Sequence, residues 1–225
     1  FVMLNNQKAP LDDVRVRRAL AYATDTAALA EVAGAPPDKI SDSAIATPSP
    51  FYRAQPTYPR NDLAKAQALI AEHERDHGPV TITLATTPDP AASSLVQAIA
   101  EQWKRVGVDV QIQAVEQTQL IVTVVTGAYD AAMWRQFGEV DPDAGYHWWA
   151  SETIRPFGSI SLNFARIADP EVDQALLAGR TSTDPAVRAD AYARLQARMT
   201  DQVPYVWLWE TTFALASSTS VRDLA

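Results

Sequence analysis

The densest group of side chains able to bind a ligand lies between Gly127 and Trp149. A mostly apolar run from Tyr129 to Trp134 predicts a strand buried on both faces, and acidic and aromatic residues follow it. Ligands of open α/β sheets bind beyond the carboxyl ends of the strands, so we predict a ligand site here. An ordinary surface loop with tryptophans of the core is the alternative. The predicted ligand-binding residues are Trp134, Gln136, Phe137, Glu139, Asp141, Asp143, His147 and Trp149.

The same stretch supplies only a weak set of catalytic residues. His147 could act as a general base, with Asp141 or Asp143 orienting it and Ser151 as the nucleophile. Residues so close together in one loop rarely reach the geometry of a triad, and nothing fixes the separation that an Asp141–Asp143 pair needs for glycoside hydrolysis. The sequence also contains no Gly-rich phosphate loop, G-x-S-x-G elbow or H-E-x-x-H motif. We therefore predict a protein that is not an enzyme.

Two histidines, His73 and His77, stand four residues apart near the end of a predicted helix. This spacing could hold a metal ion, but no acid or third histidine is obviously placed to complete the ligand set. A solvated helix end is the interpretation that the sequence favours. We therefore predict neither a metal site nor a cofactor.

The composition excludes several functional classes. The 225 residues, 47% hydrophobic and 20% charged, are typical of a soluble globular protein with one large domain or two small ones. The net charge of −8 argues against nucleic acid as a partner. Without cysteine there are no disulfides, and no apolar run reaches the about 18 residues of a membrane span. Because position 1 is Phe, we expect a processed start or a piece of a longer protein.

Short strands alternate with helices through the middle of the chain, and the candidate site follows the third of these strands, residues 129–134. This alternation predicts an α/β fold with a mainly parallel sheet flanked by helices. The predicted strands cover residues 1–8, 80–85, 108–114, 129–134, 203–209 and 213–216. The helices between the three middle strands cover residues 92–106 and 117–126.

Capping signals predict four further helical regions. Their expected starts are Asp12 or Asp13, Asn61 or Asp62, Asp169 before Pro170, and Asp184 before Pro185. The first region continues past Ala27 to Gly34, and its arginines Arg15, Arg17 and Arg18 are predicted to lie mostly on a solvated face. Residues 35–60 carry six prolines and predict a long ordered loop.

Segments along nearly the whole chain resemble one known family. Residues 5–25 read NNQKAPLDDVRVRRALAYATD, residues 58–70 read YPRNDLAKAQALI, and residues 103–112 read WKRVGVDVQI. They are followed by G-A-Y-D at 127–130, D-P-D at 141–143, Asn163-Phe164, D-P-E-V-D at 169–173 and V-P-Y-V-W-L at 203–208. In order and spacing, these segments resemble the family 5 extracellular solute-binding proteins of ABC importers, which bind oligopeptides, dipeptides or nickel.

The resemblance implies a type II periplasmic-binding-protein-like lobe rather than a whole protein. Residues 1–225 look like a single C-terminal lobe, with 1–8 and 203–216 as strands near the hinge to a missing N-terminal lobe. It also implies an extracytoplasmic protein that binds a peptide or another small solute between two lobes and works with ABC permease subunits. Any membrane anchor, such as a lipid, would lie outside this chain.

The resemblance leaves other functions open. Related lobes bind oligosaccharides or metal chelates, and others act as ligand-sensing domains of regulators. An upstream signal peptide with a lipobox would favour import, and an upstream helix-turn-helix would favour a regulator.

One position departs from the family pattern. Peptide binders usually carry a Trp six residues after the Asp of the G-x-[FY]-D strand, where this sequence has Gln136. Trp134 lies two residues earlier, on the same side of an extended strand. The resemblance implies that Glu139, three residues after Gln136, binds the peptide amine, while the stacking surface has shifted.

Overall fold

A five-stranded mixed sheet forms the centre of the protein in a computed structural model, which describes residues 1–136, 140–211 and 218. Its strands are β1 (Val2–Leu4), β2 (Thr81–Thr86), β3 (Asp109–Ala114), β4 (Ala131–Met133) and β5 (Tyr205–Val206). Their order across the sheet is β3-β2-β4-β1-β5. β2 is parallel to β3 and β4, while β1 runs antiparallel to β4 and β5. Four of these five strands therefore share one direction, and the predicted mainly parallel α/β sheet is confirmed.

Helices cover the sheet and extend beyond it. They are α1 (Val14–Ala23), α2 (Thr26–Ala33), α3 (Leu63–His77), α4 (Pro90–Lys104), α5 (Gln117–Val125), α6 (Tyr146–Trp149), α7 (Pro170–Thr181) and α8 (Pro185–Gln202). Short 3-10 helices cover Pro37–Lys39, Pro142–Gly145 and Ser151–Thr153. None of the helices in the described ranges is long and apolar enough to cross a membrane.

Aspartate caps start most of the long helices, as the sequence predicts. Asp13 accepts from the Arg15 backbone N–H and Asp62 from that of Lys65, which decides both alternatives. Asp169 and Asp184 do the same for α7 and α8, each followed by a proline at the first helical position.

The first helical region is not continuous, and this prediction is wrong. The Thr24 hydroxyl donates to the Leu20 carbonyl at 2.7 Å, and Asp25 then caps α2 by accepting from the Ala28 N–H. Both side chains offer the backbone hydrogen bonds that compete with continued helix. The chain therefore turns between α1 and α2 instead of running straight to Gly34.

Arg17 of α1 is buried rather than solvated, which corrects the prediction for this arginine, and Arg15 and Arg18 are partly exposed but hydrogen-bonded. Arg17 is 4% exposed and donates to the carbonyls of Gln202, at the end of α8, and of Leu11. Burial lowers its pKa to about 10. Arg15 pairs with Asp13 at 2.7 Å, and Arg18 donates to the Asp201 carbonyl. Arg15 also pairs with Glu72 and Asp76 on α3, so the three arginines join α1 to α3 and to the end of α8.

Two of the segments that resemble the family, residues 5–25 and 127–130, hold the strands of the sheet together. Asn5 donates to the carbonyls of Gly127 and Tyr129, so it holds the turn before β4. Asp130 pairs with Lys8 at 2.7 Å and accepts from the Thr83 backbone N–H on β2. These bonds fix the neighbouring strands β1, β2 and β4 in register.

A buried arginine, Arg166, packs against the turn at Thr126 and Gly127 that precedes β4. Arg166 is 1% exposed, has a left-handed φ of 55°, and donates to the carbonyls of Arg155 and Thr126. Its guanidinium lies 4.4 Å from the centre of the Phe157 ring. Among the described residues no carboxylate pairs with it, and burial lowers its pKa. Gly127, at φ 80°, leaves the space that this side chain fills.

Candidate functional site

A cavity of about 980 Å³ opens where β2 and β4 end. Thr86, the last residue of β2, and Met133, the last residue of β4, both line it. Because the two strands are parallel, their carboxyl ends meet at the same edge of the sheet. Ligand sites of open α/β sheets lie at this edge. The volume is at the upper end of the about 300–1,000 Å³ typical of ligand pockets.

Tryptophans dominate the wall of the cavity. Phe164 packs between two of them, with ring centres 5.8 Å from Trp134 and 5.1 Å from Trp148. Of the six tryptophans in the sequence, five line the cavity. They are Trp134, Trp148, Trp149, Trp207 and Trp209. Flat faces of this kind stack on planar or apolar ligand groups.

Charged side chains at the cavity are few. Among its described lining residues, three carboxylates, Asp89, Asp141 and Glu210, face one guanidinium, that of Arg135. Glu210 accepts from the Thr47 N–H at 2.7 Å and from its hydroxyl at 2.8 Å. Asp89 caps α4. Arg135 is exposed and makes no ion pair within the described ranges, so its charge is available to a ligand.

Asp141 has a structural partner. Its two carboxylate oxygens lie 2.6 and 2.8 Å from Nη2 of Arg188 on α8, and it also caps the 3-10 helix by accepting from the Asp143 N–H. The hydrogen bond from Arg188 is the main reason that the pKa of Asp141 is lowered. The carboxylate thereby fixes the loop after β4 to α8.

Catalytic geometry does not assemble around His147. Its ring is exposed and has no hydrogen-bond partner among the described residues, including Asp141, Asp143 and Ser151. Asp143 lies 3.5 Å from Nε of Arg180, and the Ser151 N–H donates to Asp173. The triad that the sequence offers as an alternative is therefore absent from this part of the chain.

The cavity brings together four of the predicted ligand-binding residues. Trp134, Gln136, Asp141 and Trp149 line it, whereas Asp143 and His147 are not among its lining residues. Phe137 and Glu139 lie outside the described residues, as does the predicted strand 213–216.

Two distant segments complete the wall and were missed by sequence reasoning. Residues 41–48 come from the proline-containing loop, and residues 207–211 follow β5. They meet through the Ile40–Trp209 bridge and the hydrogen bonds of Glu210. The prolines of residues 35–60 indicated an ordered loop, but no local pattern indicated where it would pack.

Thr86 is a further lining residue that the sequence did not single out. It is fully buried, and its hydroxyl has no hydrogen-bond partner among the described residues. Buried polar atoms of native proteins are nearly always paired. The hydroxyl is thus a polar group of the cavity wall that the described fold does not use.

Comparison with known proteins identifies relatives of the whole chain. The family model described as "Bacterial extracellular solute-binding proteins, family 5 Middle" matches residues 1–156. Protein XP55 of Streptomyces lividans is 30% identical over 87% of this chain, and the dipeptide-binding protein of Escherichia coli is 27% identical over 94%. The chain spans only 37% and 40% of the length of these two relatives.

Solved structures confirm the fold. The dipeptide-binding protein of Pseudoalteromonas sp. SM9913, in complex with Met-Leu, superposes with a TM-score of 0.78 at 21% identity. The match covers 92% of this chain and 41% of that one. The predicted periplasmic-binding-protein-like fold is therefore confirmed.

Proposed function

Because this chain belongs to the family 5 bacterial extracellular solute-binding proteins, we propose that it is the C-terminal, ligand-binding lobe of the substrate-binding component of an ABC importer. It spans about two fifths of the relatives named above, which leaves room for a second lobe in the complete protein. The protein then works outside the cytoplasm with ABC permease subunits, and any lipid anchor lies outside these residues.

The observation that carries this proposal is the cavity with its tryptophan wall and few charges. Ligand pockets are mostly apolar and use a small number of polar groups to orient the ligand. Here five tryptophans line one cavity with three carboxylates and one guanidinium. Binding, rather than chemistry, suits such a lining because the triad considered around His147 does not form among the described residues.

A short peptide is the ligand class that we propose. Its ammonium and carboxylate complement the mixed charges of the lining, with Arg135 available for the carboxylate. Its apolar side chains suit the tryptophan wall. The relative from Escherichia coli is named a dipeptide-binding protein.

We propose Glu139 as the anchor for the peptide α-amine. In the sequence it stands between Gln136 and Asp141, which both line the cavity. The role of Asp141 in binding Arg188 favours Glu139 over Asp141 as the acid that is free for a ligand. An ammonium bound to a carboxylate forms charge-assisted hydrogen bonds that are about twice as strong as neutral ones.

The test uses the complete protein and two forms of one peptide, free and N-acetylated. Glu139→Gln is expected to weaken binding of the free peptide by about 30-fold to several-thousand-fold, because truncating a buried charge pair costs about 2–5 kcal/mol. Asp143→Asn and Asp141→Asn are the matched controls, and Asp141→Asn should mainly lower stability. If Glu139→Gln binds the free peptide as tightly as the parent, the anchor is elsewhere. If acetylation also changes nothing, the ligand is not a peptide held by its amine.

An oligosaccharide is the second candidate, favoured by the tryptophans alone. Sugar rings stack on indole faces without needing a charged anchor. In calorimetry, oligosaccharide binding that is insensitive to Glu139→Gln and lost in Trp134→Ala would select this ligand class. Peptide binding sensitive to both variants would exclude it.

A further inference from the structure

Three side chains with metal-ligating atoms meet outside the cavity, where α1 packs against α3. His73 and His77 lie one turn apart on α3, and Asp13 caps the start of α1. One potential ligand atom from each lies within 4.8 Å of the other two. None of the three lines the cavity, so this group is separate from the proposed ligand site.

The hydrogen bonds assign the same tautomer to both neutral rings. Nδ1 of His73 lies 2.8 Å from Oδ2 of Asp13. Asp13 also accepts from the backbone N–H and the guanidinium of Arg15, so its carboxylate acts as an acceptor toward His73 as well. Nδ1 of His77 lies 3.3 Å from the carbonyl oxygen of His73, which also can only accept. Each ring therefore donates from Nδ1–H and keeps its lone pair on Nε2.

Both Nε2 atoms lack a hydrogen-bond partner within the described ranges. A histidine that binds a metal almost always donates its other ring N–H to a carboxylate or a backbone carbonyl. His73 and His77 show one partner of each kind. A solvated helix end requires neither bond. The sequence showed no acid near the two histidines that could complete a metal site, and Asp13, sixty residues before His73, supplies one at the start of α1.

We propose that His73 and His77 bind one divalent transition-metal ion, with Asp13 orienting His73. Imidazole nitrogens suit Zn²⁺, Ni²⁺ and Cu²⁺, and water completes the coordination. The two rings stack with centres 4.6 Å apart, so binding of one ion by both Nε2 atoms requires a rotation of the His77 ring. His77 is exposed at the last position of α3, which leaves room for this rotation.

The charge around the two histidines favours a cation. Arg15 is shared by three carboxylates, those of Asp13, Glu72 and Asp76, at 2.7, 3.2 and 3.0 Å. Three negative charges against one positive charge leave this cluster net negative. Nearby negative charge stabilises a bound divalent ion.

In the test, Zn²⁺ is titrated into the 225-residue chain, prepared without a histidine tag, and calorimetry measures the binding. One ion per chain is expected, with binding at least tenfold weaker in His77→Ala. Asp13→Asn keeps the helix cap but loses the carboxylate, so affinity should fall by about 10–100-fold. Glu74→Gln, on the same helix between the two histidines, should bind as the parent does. His73 is buried, so its replacement is not used.

Two outcomes overturn the proposal. The first is the absence of saturable binding up to about 1 mM Zn²⁺, because a dissociation constant above about 1 mM is too weak for a specific site. The second is a His77→Ala chain that binds Zn²⁺ as tightly as the parent. A two-bond ¹H–¹⁵N spectrum adds a readout that needs no variant, because both histidines should show the Nδ1–H tautomer and shift at Nε2 when Zn²⁺ is added.

Discussion

Gly127 is the residue whose replacement the structure constrains most clearly. A Cβ there would collide with Nε of Arg166 and lie 2.7 Å from its Cζ, and the backbone has a φ of 80°. Gly127→Ala is therefore expected to lower the free energy of unfolding by about 2–5 kcal/mol, the sum of left-handed strain and overpacking. Urea unfolding followed by tryptophan fluorescence measures the loss.

Gly158→Ala is the matched control for Gly127→Ala. Gly158 has a similar φ of 87°, but a Cβ there meets nothing within 4 Å. Only the backbone cost of about 1–2 kcal/mol is expected. Equal losses in the two variants would show that Arg166 moves away freely.

Two buried threonines allow a paired test of hydroxyl partners. Thr86→Val removes a hydroxyl that has no partner among the described residues, so stability should stay equal or rise. Thr24→Val removes a hydroxyl that donates to Leu20 and accepts from Nε1 of Trp103 at 2.9 Å, so a loss of about 1–3 kcal/mol is expected. Thermal and urea unfolding of both variants provides the comparison. A Thr86→Val chain as unstable as Thr24→Val would mean that the Thr86 hydroxyl is paired.

Residue-level prediction from the sequence succeeded where the partners are local. Asp169 and Asp184 were predicted as caps because their partners are two or three residues away. The bonds of Arg17 to residue 202 and of His73 to Asp13 could not be predicted, since they depend on how separate helices pack. The same limit kept Thr86, Trp207 and Glu210 out of the predicted site.

At the scale of elements, one hydroxyl ties the proline-containing loop to β5. The Tyr58 hydroxyl donates to the Tyr205 carbonyl at 2.7 Å and accepts from the Trp207 N–H at 3.1 Å. Tyr58→Phe leaves both backbone groups buried without this partner, at a cost of about 1–3 kcal/mol for each. Chemical unfolding measures the loss.

Tyr22→Phe is the control for Tyr58→Phe, since the Tyr22 hydroxyl makes no hydrogen bond among the described residues. Its free energy of unfolding should match that of the parent. Similar stability of both variants would contradict the role assigned to Tyr58.

The alternating elements of the middle of the chain were predictable, because strand and helix periodicities are local. Predicted strands 80–85 and 108–114 correspond to β2 and β3 within one residue at each end. Predicted helix 117–126 corresponds to α5. The place of β1 between β4 and β5 was not predictable, because pairing across the whole chain has no local signal.

At the scale of the whole molecule, we predict that this chain binds its ligand weakly by itself. Ligand pockets bury about 70–90% of the ligand surface, and hinge closure of two lobes achieves this in binding proteins. One lobe provides only part of the enclosure. Calorimetry with peptide should show binding to residues 1–225 that is at least tenfold weaker than binding to the complete protein. Submicromolar peptide binding to residues 1–225 alone would contradict this prediction.

The family was recognisable from the sequence because its segments recur in order, and the match over residues 1–156 confirms it. The ligand was not recognisable in the same way. Part of the cavity wall comes from residues 41–48 and 207–211, and the positions of these segments depend on long-range packing.

The position of β1 inside the sheet, between β4 and β5, has a consequence for protein synthesis. Val2 pairs with Met133 on one side and with Val206 on the other. At about 5–20 residues per second, a ribosome needs roughly 10–40 s to deliver β5 after β1 has emerged. Both edges of this apolar strand lack their partners until β4 has emerged, and one edge lacks its partner until β5 has emerged. An unpaired strand edge is a template for pairing with other chains. The strand that is synthesised first is therefore among the last to be paired on both sides, and it is open to edge-to-edge pairing for most of the synthesis of these residues.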